Sequence, residues 1–333
     1  MKDLIFNLIN IDLQLFAEPN TNTTLDAGLS VENKTHYDMT LIDEAGPNLI
    51  HDQFGQKRDI PKNGGKKIEF RKFAALPKAL TPLTEGVTPD GKKLSATAIE
   101  ATVAQYGDYV VLSDMLDLTA IDPVVVEATK VVGRQAGLTL DTITRNVLHT
   151  GTNVFYAPKS DGSAVTSRAG LDGTCKLTVD LVRRVAAFLK KNNAPKINGS
   201  YVAIIHPFAA YDLMSDPEWQ DPHKYQDTTN IYEGEIGKIA GVRFVESSEA
   251  KIYENGVFGT LFLAEGAYGV TEITGGGLQT IIKQLGSAGV ADALNQRSSV
   301  GWKATKTAEI LVDAYMVRVE HKSAFGADEA VAN

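Results

Sequence analysis

Alternating polar and apolar side chains predict a two-stranded β-ribbon in the first third of the chain. In its first arm, Ile68 and Phe70 face one way and the charged residues next to them face the other. The second predicted arm covers residues 95–112, and the connecting residues 77–91 contain three prolines and two glycines, which exclude a long helix. A two-stranded ribbon is marginally stable alone in water, so it must pack on the rest of the chain or on another copy.

Apolar side chains that recur every three or four residues predict three helices after residue 120. The longest covers residues 123–149, with Asp122 as its N-cap and Pro123 in its first turn. Its apolar stripe consists of Val125, Ala128, Val132, Ala136, Leu140, Ile143 and Val147. A second amphipathic helix covers residues 178–191, and a shorter one covers residues 207–214. A helix as long as the first is typical of an element against which a sheet packs.

Short apolar or alternating runs predict the remaining strands. They lie at residues 201–205, 241–246, 259–263, 278–285 and 309–320. The order of elements is strands, then helices, then strands, rather than a regular alternation of strand and helix. That order predicts a mixed α+β fold.

The N-terminal residues 1–35 are predicted to form an arm rather than a folded unit. Leu13 and Leu15 alternate with polar residues, Phe16 follows, and residues 18–24 are polar and rich in turn formers. Two interpretations fit this pattern: an arm that becomes ordered on a neighbouring subunit, or a frayed chain terminus. A helix is predicted after the arm, over residues 41–50.

Composition indicates an ordinary soluble globular protein. Of the 333 residues, 43% are hydrophobic and 22% are charged, and the net charge of −8 argues against bulk attraction to nucleic acid. Cys175 is the only cysteine, which excludes an internal disulfide and a multi-cysteine metal site. Polar residues interrupt the apolar N-terminus, which argues against a signal peptide, and no apolar run is long enough to span a membrane. We therefore expect a soluble cytoplasmic protein.

The predicted ribbon is basic, although the chain as a whole is acidic. Residues 57–78 contain eight Lys or Arg against Asp59 and Glu69, a net charge of +6 in a chain whose total is −8. One interpretation is that these cations protect an exposed ribbon from edge-to-edge aggregation. The other is that the ribbon docks on an acidic surface, for which residues 212–235 are a candidate.

No arrangement of residues predicts catalysis or cofactor binding. The six histidines are not spaced as a metal site, and neither an HExxH nor a CxxC motif occurs. His206 precedes a proline at a strand end, where a helix start explains it better than a catalytic role. The glycines at 275–277 lack the Lys-Ser/Thr of a phosphate loop and predict a turn. We expect no catalytic residue, no cofactor and no metal.

Several short stretches of the chain, in matching order from residue 38 to residue 320, carry a resemblance to a known family. They are residues 60–70 (IPKNGGKKIEF), 81–89 (TPLTEGVTP), 105–109 (QYGDY), 137–142 (GLTLDT), 294–297 (LNQR) and 300–303 (VGWK). They resemble the major capsid proteins of tailed bacteriophages, in the branch grouped with the coat protein of the N4-type podoviruses, which have the Hong Kong 97-type capsid fold. Residues 13–18 (LQLFAE) also resemble the start of a phage coat protein.

The resemblance implies a division of the chain into named parts. These are an N-terminal arm and first helix (1–55), an extended loop formed by the β-ribbon (56–112), a peripheral domain (113–194) with the spine helix 123–149, an axial domain (195–289), and a return to the peripheral domain with a C-terminal tail (290–333). The implied contacts between subunits come from the ribbon and the arm: Lys66, Lys67, Arg71, Lys72, Glu85, Leu13, Leu15 and Phe16.

The function implied by the resemblance is structural. The chain would self-assemble as hexamers and pentamers into an icosahedral shell that encloses double-stranded DNA without sequence-specific contact. Its partners would be copies of itself and scaffolding, portal and decoration proteins, with no membrane involved. It would be assembled in the cytoplasm of the host bacterium and reside in the virion. The alternatives are an encapsulin-like nanocompartment shell, which shares this fold, and a soluble enzyme with an unrecognised site.

Overall fold

The computed structural model describes residues 21–22, 50–83, 85–88, 90–119, 124–223, 237–287, 292–326 and 332–333. The predicted arm residues Leu13, Leu15 and Phe16, most of the predicted helix 41–50, and the helix start at Asp122 and Pro123 lie outside these residues.

The described chain combines strands and helices in the mixed α+β fold that the sequence predicts. Its strands are β1 (Thr21–Asn22), β2 (Gln56–Lys57), β3 (Lys67–Phe73), β4 (Ala96–Thr102), β5 (Ala104–Ser113), β6 (Val154–Tyr156), β7 (Tyr201–Ile205), β8 (Lys238–Ile239), β9 (Val242–Glu246), β10 (Ile252–Tyr253), β11 (Val257–Leu263), β12 (Tyr268–Thr271), β13 (Gln279–Lys283), β14 (Arg297–Ile310) and β15 (Met316–His321). Its α-helices are α1 (Asp114–Thr119), α2 (Val124–Leu148), α3 (Val179–Lys191), α4 (Pro207–Met214) and α5 (Pro217–His223).

The chain divides into two compact units. The first takes its described residues from Met1–Asp43, Gly107–Arg134 and Gln279–Lys303, and the second from Glu44–Tyr106, Gln135–Leu278 and Ala304–Asn333.

In the first unit, residues 297–303 of β14 form the strand on which the others assemble. β13 pairs with it antiparallel and β5 lies on its other side, while β1 pairs parallel with β5. Gly301 is needed here because a side chain at this position would lie 2.6 Å from the Cβ atom of Tyr109 on β5. Leu116 of α1 packs with Leu112 and Val124 in a small apolar cluster, and Ser113 accepts a hydrogen bond from the Leu116 amide at 3.2 Å.

The second unit is built on a sheet in the order β6-β15-β11-β7-β9-β8, with β10 paired to β11. Every residue of β7 and β11 is buried, which fits strands made of continuous apolar runs at the centre of a sheet. α3 packs on this core through its apolar face, including Val182, Val185 and Leu189. Thr178 caps α3 by accepting from the Leu181 amide, as the sequence predicts, and two lysines occupy the last turn.

The long helix α2 is confirmed, but its last turns bury polar side chains as well as the predicted stripe. Val132, Ala136 and Leu140 are buried, and so are Asp141, Thr144 and Arg145. Asp141 accepts hydrogen bonds from the backbone amide of His51 at 2.8 Å and shares a contact of 2.7 Å with its Nδ1 atom. The end of α2 is therefore fixed by specific polar partners as well as by apolar packing.

Two predicted strands are wrong in extent. The second ribbon arm, predicted over residues 95–112, is two strands, β4 and β5, because β4 pairs with β3 whereas β5 pairs with β14. The final strand, predicted over residues 309–320, consists of the end of β14, a 3-10 turn at Asp313–Tyr315 and then β15. Asp313 holds that turn by accepting from the Thr152 amide at 3.0 Å.

Candidate inter-subunit surface

The β3–β4 ribbon is a two-stranded antiparallel sheet, and it is the principal candidate for a functional surface. Its register runs from Lys67 opposite Thr102 to Phe73 opposite Ala96. One further backbone hydrogen bond, from Ala74 to Ser95 at 2.9 Å, extends the pairing. Beyond it, the described residues of the tip contain no helix and no strand, as the prolines and glycines predict.

The apolar face of the ribbon is attached to its own unit at one end. Ile68, Phe70 and Ile99 are half-buried and line a cavity of about 480 Å³ together with Leu311 and other residues at the base of the ribbon. The Phe70 ring lies against Gly269 of β12, where a Cβ atom would approach its Cζ atom to 2.9 Å. The predicted facing of Ile68 and Phe70 is confirmed, and the ribbon is anchored through them.

The cations on the charged face of the ribbon, Lys67 and Arg71, are paired with its acids. Glu69 and Glu100 lie directly opposite each other in the register, an unfavourable arrangement of like charges. Lys67 contacts Glu100 at 2.7 Å and Arg71 contacts Glu69 at 3.0 Å, so each acid has a cation beside it. The hydrogen bond from Lys67, with its positive charge, lowers the pKa of Glu100 and in turn raises the pKa of Lys67.

Lys66 and Lys72 differ from the other two predicted contact cations. Both are exposed, and within the described residues neither forms an ion pair. Their charges are therefore available to a partner, whereas those of Lys67 and Arg71 are largely used inside the ribbon. Glu85 is exposed in the tip.

The ribbon tip exposes a concentration of large apolar side chains that sequence reasoning did not single out. They are Phe73, Leu76, Leu80, Leu83, Val87 and Leu94, with Leu80 and Leu83 exposed to 82% and 77%. Such a group on one loop is characteristic of an interaction surface. The sequence does place leucines next to prolines in this loop, but their spacing follows neither the strand period nor the helix period, so no pattern predicted an exposed apolar surface.

The acidic segment predicted as a docking surface is partly occupied by its own chain. Asp212 is buried and accepts from the Ala324 amide at 3.0 Å, and it lies 3.6 Å from Lys176. Asp216 accepts from the Val179 amide at 2.9 Å, and Glu218 pairs with Arg183 at 2.5 Å. The acidic side chains beyond residue 220 in this segment lie outside the described residues. Docking of the ribbon on this segment stays a prediction.

Neither a metal centre nor a membrane span is found in the part of the chain that the structure describes. No group of three or more His, Cys, Asp or Glu side chains in these residues is arranged to hold a metal ion. None of the described helices is both long and apolar enough to cross a bilayer. His206 is the N-cap of α4, and its Nδ1 atom accepts from the Phe208 amide at 3.2 Å. This confirms the helix-start interpretation of His206.

Comparisons with known proteins agree with this architecture. Residues 112–268 match the family described as phage capsid protein. No curated protein sequence matches the chain.

Solved phage capsids share the fold. The capsid protein of cyanophage Pam1 superimposes with a TM-score of 0.66 at 14% identity, covering 91% of this chain and 98% of that one. That of cyanophage P-SCSP1u gives 0.62 at 16% identity, with 83% and 88% covered, and that of Ralstonia phage GP4 gives 0.61 at 14%, with 82% and 88% covered. The central residues of this chain therefore match the phage capsid protein family, and most of its length has the fold of solved phage capsid proteins.

Proposed function

We propose that the chain self-assembles as hexamers and pentamers into the icosahedral shell that encloses phage double-stranded DNA. The observation that carries the proposal is the β3–β4 ribbon, which is anchored at its base and exposes six large apolar side chains near its tip. Full burial of a side chain such as Leu contributes about 1.5–3 kcal/mol. Covering the tip therefore offers a gross stabilisation on the order of 10 kcal/mol before the costs of association.

The parts of the Hong Kong 97-type fold can be assigned by analogy. The β3–β4 ribbon corresponds to the extended loop within residues 56–112, and α2 corresponds to the spine helix of a peripheral domain over residues 113–194. Residues 195–289 correspond to the axial domain, and residues 290–333 return to the peripheral domain. The branch grouped with the N4-type coat protein is supported by the short stretches that carry the sequence resemblance.

The basic residues of the ribbon provide a second, electrostatic contribution to the contact between copies. Lys66 and Lys72 are exposed cations at the two ends of β3. Lys67 and Arg71 lie between them, and each can bridge from its ribbon partner to an acid on a neighbour. Charge complementarity of this kind fixes register more than it adds affinity. The arm residues Leu13, Leu15 and Phe16 are proposed to lie on a neighbouring copy as well.

The proposed partners follow from this role. They are other copies of the chain, scaffolding, portal and decoration proteins, and packaged DNA bound without sequence readout. Assembly takes place in the host bacterial cytoplasm, and the product is the virion capsid. An encapsulin-like compartment has the same fold but is less well supported, because the family that residues 112–268 match is that of phage capsid proteins.

The proposal is tested by changing the tip without changing the body of the subunit. Leu80→Asp with Leu83→Asp should abolish particle formation, measured by sedimentation velocity, while the circular dichroism spectrum and melting temperature of the subunit stay unchanged. Leu80→Met with Leu83→Met is the matched control, since it keeps the apolar surface. Normal particles from the aspartate variant would contradict the proposed role of the tip.

A further inference from the structure

The cavity at the base of the ribbon is lined by apolar side chains that are only half-buried. Its volume is about 480 Å³. Ile68, Phe70 and Ile99 line it from the ribbon, and Leu311 and Val312 line it from the segment between β14 and β15. Each of these side chains keeps part of its apolar surface in contact with water. An apolar side chain placed in the cavity would cover that surface, which is favourable.

The other end of the same ribbon carries apolar side chains that have almost no packing. Leu80 and Leu83 are exposed to 82% and 77%, and Val87 is exposed to 62%. They lie beyond the last backbone hydrogen bond of the ribbon, from Ala74 to Ser95. Because they are this exposed, they do not fill the cavity of their own copy. The ribbon therefore has an uncovered apolar projection at its tip and an uncovered apolar cavity at its base.

The charges at these two ends are complementary. Glu85 is the only charged residue in 79–89, so the apolar projection carries a single negative charge. Arg58 and Lys72 contribute to the wall of the cavity, and neither forms an ion pair with another described residue. The other two charged residues of the wall pair with each other at 3.0 Å. The cavity thus has an excess of positive charge to face the acid of the tip.

We propose that the ribbon tip of one copy inserts Leu80 and Leu83 into the cavity at the ribbon base of a second copy. Glu85 then faces Arg58 and Lys72 of that copy. The inference rests on the proposed self-assembly and adds the surface that receives the tip. Because the two contacting surfaces differ, the contact is heterologous, and repeated contacts of this type close into a ring when the rotation between copies permits it. Hexamers and pentamers are rings of this kind.

Disulfide trapping in assembled particles tests the contact. Leu83→Cys with Val312→Cys places one thiol at the tip and one in the cavity wall, while the native Cys175 is buried. A disulfide requires Cα atoms within about 7 Å of each other, so a bond reports that the two sites touch. We expect oxidation with diamide to shift the chain from monomer to covalent multimers, up to the size of the ring, on a non-reducing denaturing gel. Peptide mass spectrometry should identify the bond between positions 83 and 312.

Three further variants make the result specific. Each single cysteine variant should give nothing larger than a dimer. Leu83→Cys with Leu294→Cys is the matched control and should not give the multimers, because Leu294 is 77% exposed but does not line the cavity. Leu80→Cys with Leu311→Cys is a second pair across the same contact and should give the same multimers, which covers the case in which the first pair disturbs folding.

The outcomes separate this inference from the proposed function. Normal particles in which both cavity pairs stay monomeric would overturn the inference and leave self-assembly intact, and so would multimers from the Leu294 pair alone. A disulfide within one chain, seen as a monomer of altered mobility, would also overturn it, because the tip would then reach the cavity of its own copy. A wild-type chain that forms no particles would instead contradict self-assembly itself.

Discussion

The ring of Phe70 lies directly against the backbone of Gly269, at a distance that leaves no space for a side chain. A Cβ atom at position 269 would lie 2.9 Å from Phe70 Cζ and 3.4 Å from a methyl group of Leu311. Because these contacts lie between the ribbon and β12, a side chain at position 269 would displace the Phe70 ring.

Gly269→Ala should therefore loosen the ribbon without unfolding the subunit. Phe70 has to move, so we expect faster hydrogen exchange in the backbone amides of β3 and β4 and slower assembly. Gly173→Ala is the matched control, because nothing lies within 4 Å of the position of its Cβ atom. Adding Phe70→Leu to Gly269→Ala should restore part of the protection. Unchanged exchange in the single variant would show that the contact does not hold the ribbon.

Charge reversal on β3 should impair assembly while the subunit still folds. Changing Lys66, Lys67, Arg71 and Lys72 to Glu reverses four exposed positive charges of the ribbon, and we expect particle yield to fall most strongly at low salt, where charges are least screened. Lys66→Glu with Lys72→Glu alone should suffice, since these two cations have no ion pair within the described residues. Particle yield is measured by sedimentation, with Lys190→Glu and Lys191→Glu as the control. Normal particles from the fourfold variant would contradict the hypothesis that the basic ribbon docks on an acidic surface.

A buried ion pair joins β14 to the residues that precede β2. Lys306 Nζ pairs with Asp52 and donates to the Leu140 carbonyl at 2.8 Å, while Thr144 donates to Asp52 at 2.6 Å. Lys306→Met leaves a buried carboxylate unpaired and should reduce the free energy of unfolding by about 3–5 kcal/mol. Urea denaturation of the unassembled subunit measures this change.

Two controls separate the ion pair from general effects of the substitution. Adding Asp52→Asn to Lys306→Met removes the unpaired charge and should recover most of the loss. Lys130→Met breaks only the exposed pair with Glu127 and should change stability by less than about 1 kcal/mol. If Lys130→Met and Lys306→Met reduced the free energy of unfolding by similar amounts, the buried pair of Lys306 and Asp52 would not be the cause.

We expect the buried imidazole of His321 to reduce the stability of the subunit in acid. Burial lowers the pKa of His321 to about 4, while Nε2 lies 2.8 Å from the Thr260 hydroxyl and Nδ1 lies 2.9 Å from the Lys322 carbonyl. Among the neighbouring charged groups, Asp212 and Glu320 favour the protonated form and His206 opposes it. The neutral ring is thus part of the folded state.

The direction of the pH dependence follows from this depressed pKa. In the unfolded chain the pKa of His321 is about 6.5. The contribution of the neutral ring to the free energy of unfolding is therefore fully present above that pH and is lost as the pH falls towards 4. The free energy of unfolding should fall by up to about 1.4 kcal/mol per pH unit for this one proton. His321→Gln should flatten the profile, and His149, whose pKa burial also lowers, accounts for part of the remaining slope. Equal slopes in the two proteins would exclude His321 as the cause.

Sequence patterns predicted the elements whose determinants are local. The helix α3 was predicted with its Thr178 cap because capping and a helical period lie within one stretch, and β7 because its apolar run is continuous. The long strand β14 was missed over most of its length, since residues 297–303 contain serines and a glycine and depend on pairing with distant strands. Burial of Asp141 was equally invisible, because its partner His51 lies 90 residues away.

Only some features of the candidate surface could likewise be predicted from the sequence. The basic charge of β3 could be predicted from composition, but the pairing of Lys67 with Glu100 required the register of two strands. The apolar tip has no periodicity, so only its exposure distinguishes Leu80 and Leu83 from leucines of a core.

Self-assembly through the ribbon tip is best measured by cryo-electron microscopy of particles formed by the expressed chain, with a scaffolding partner supplied if needed. We expect closed icosahedral shells of hexamers and pentamers in which a neighbouring subunit covers Leu80 and Leu83. A chain that stays monomeric at all concentrations and salt conditions would contradict it, as would shells in which the ribbon tip contacts only solvent.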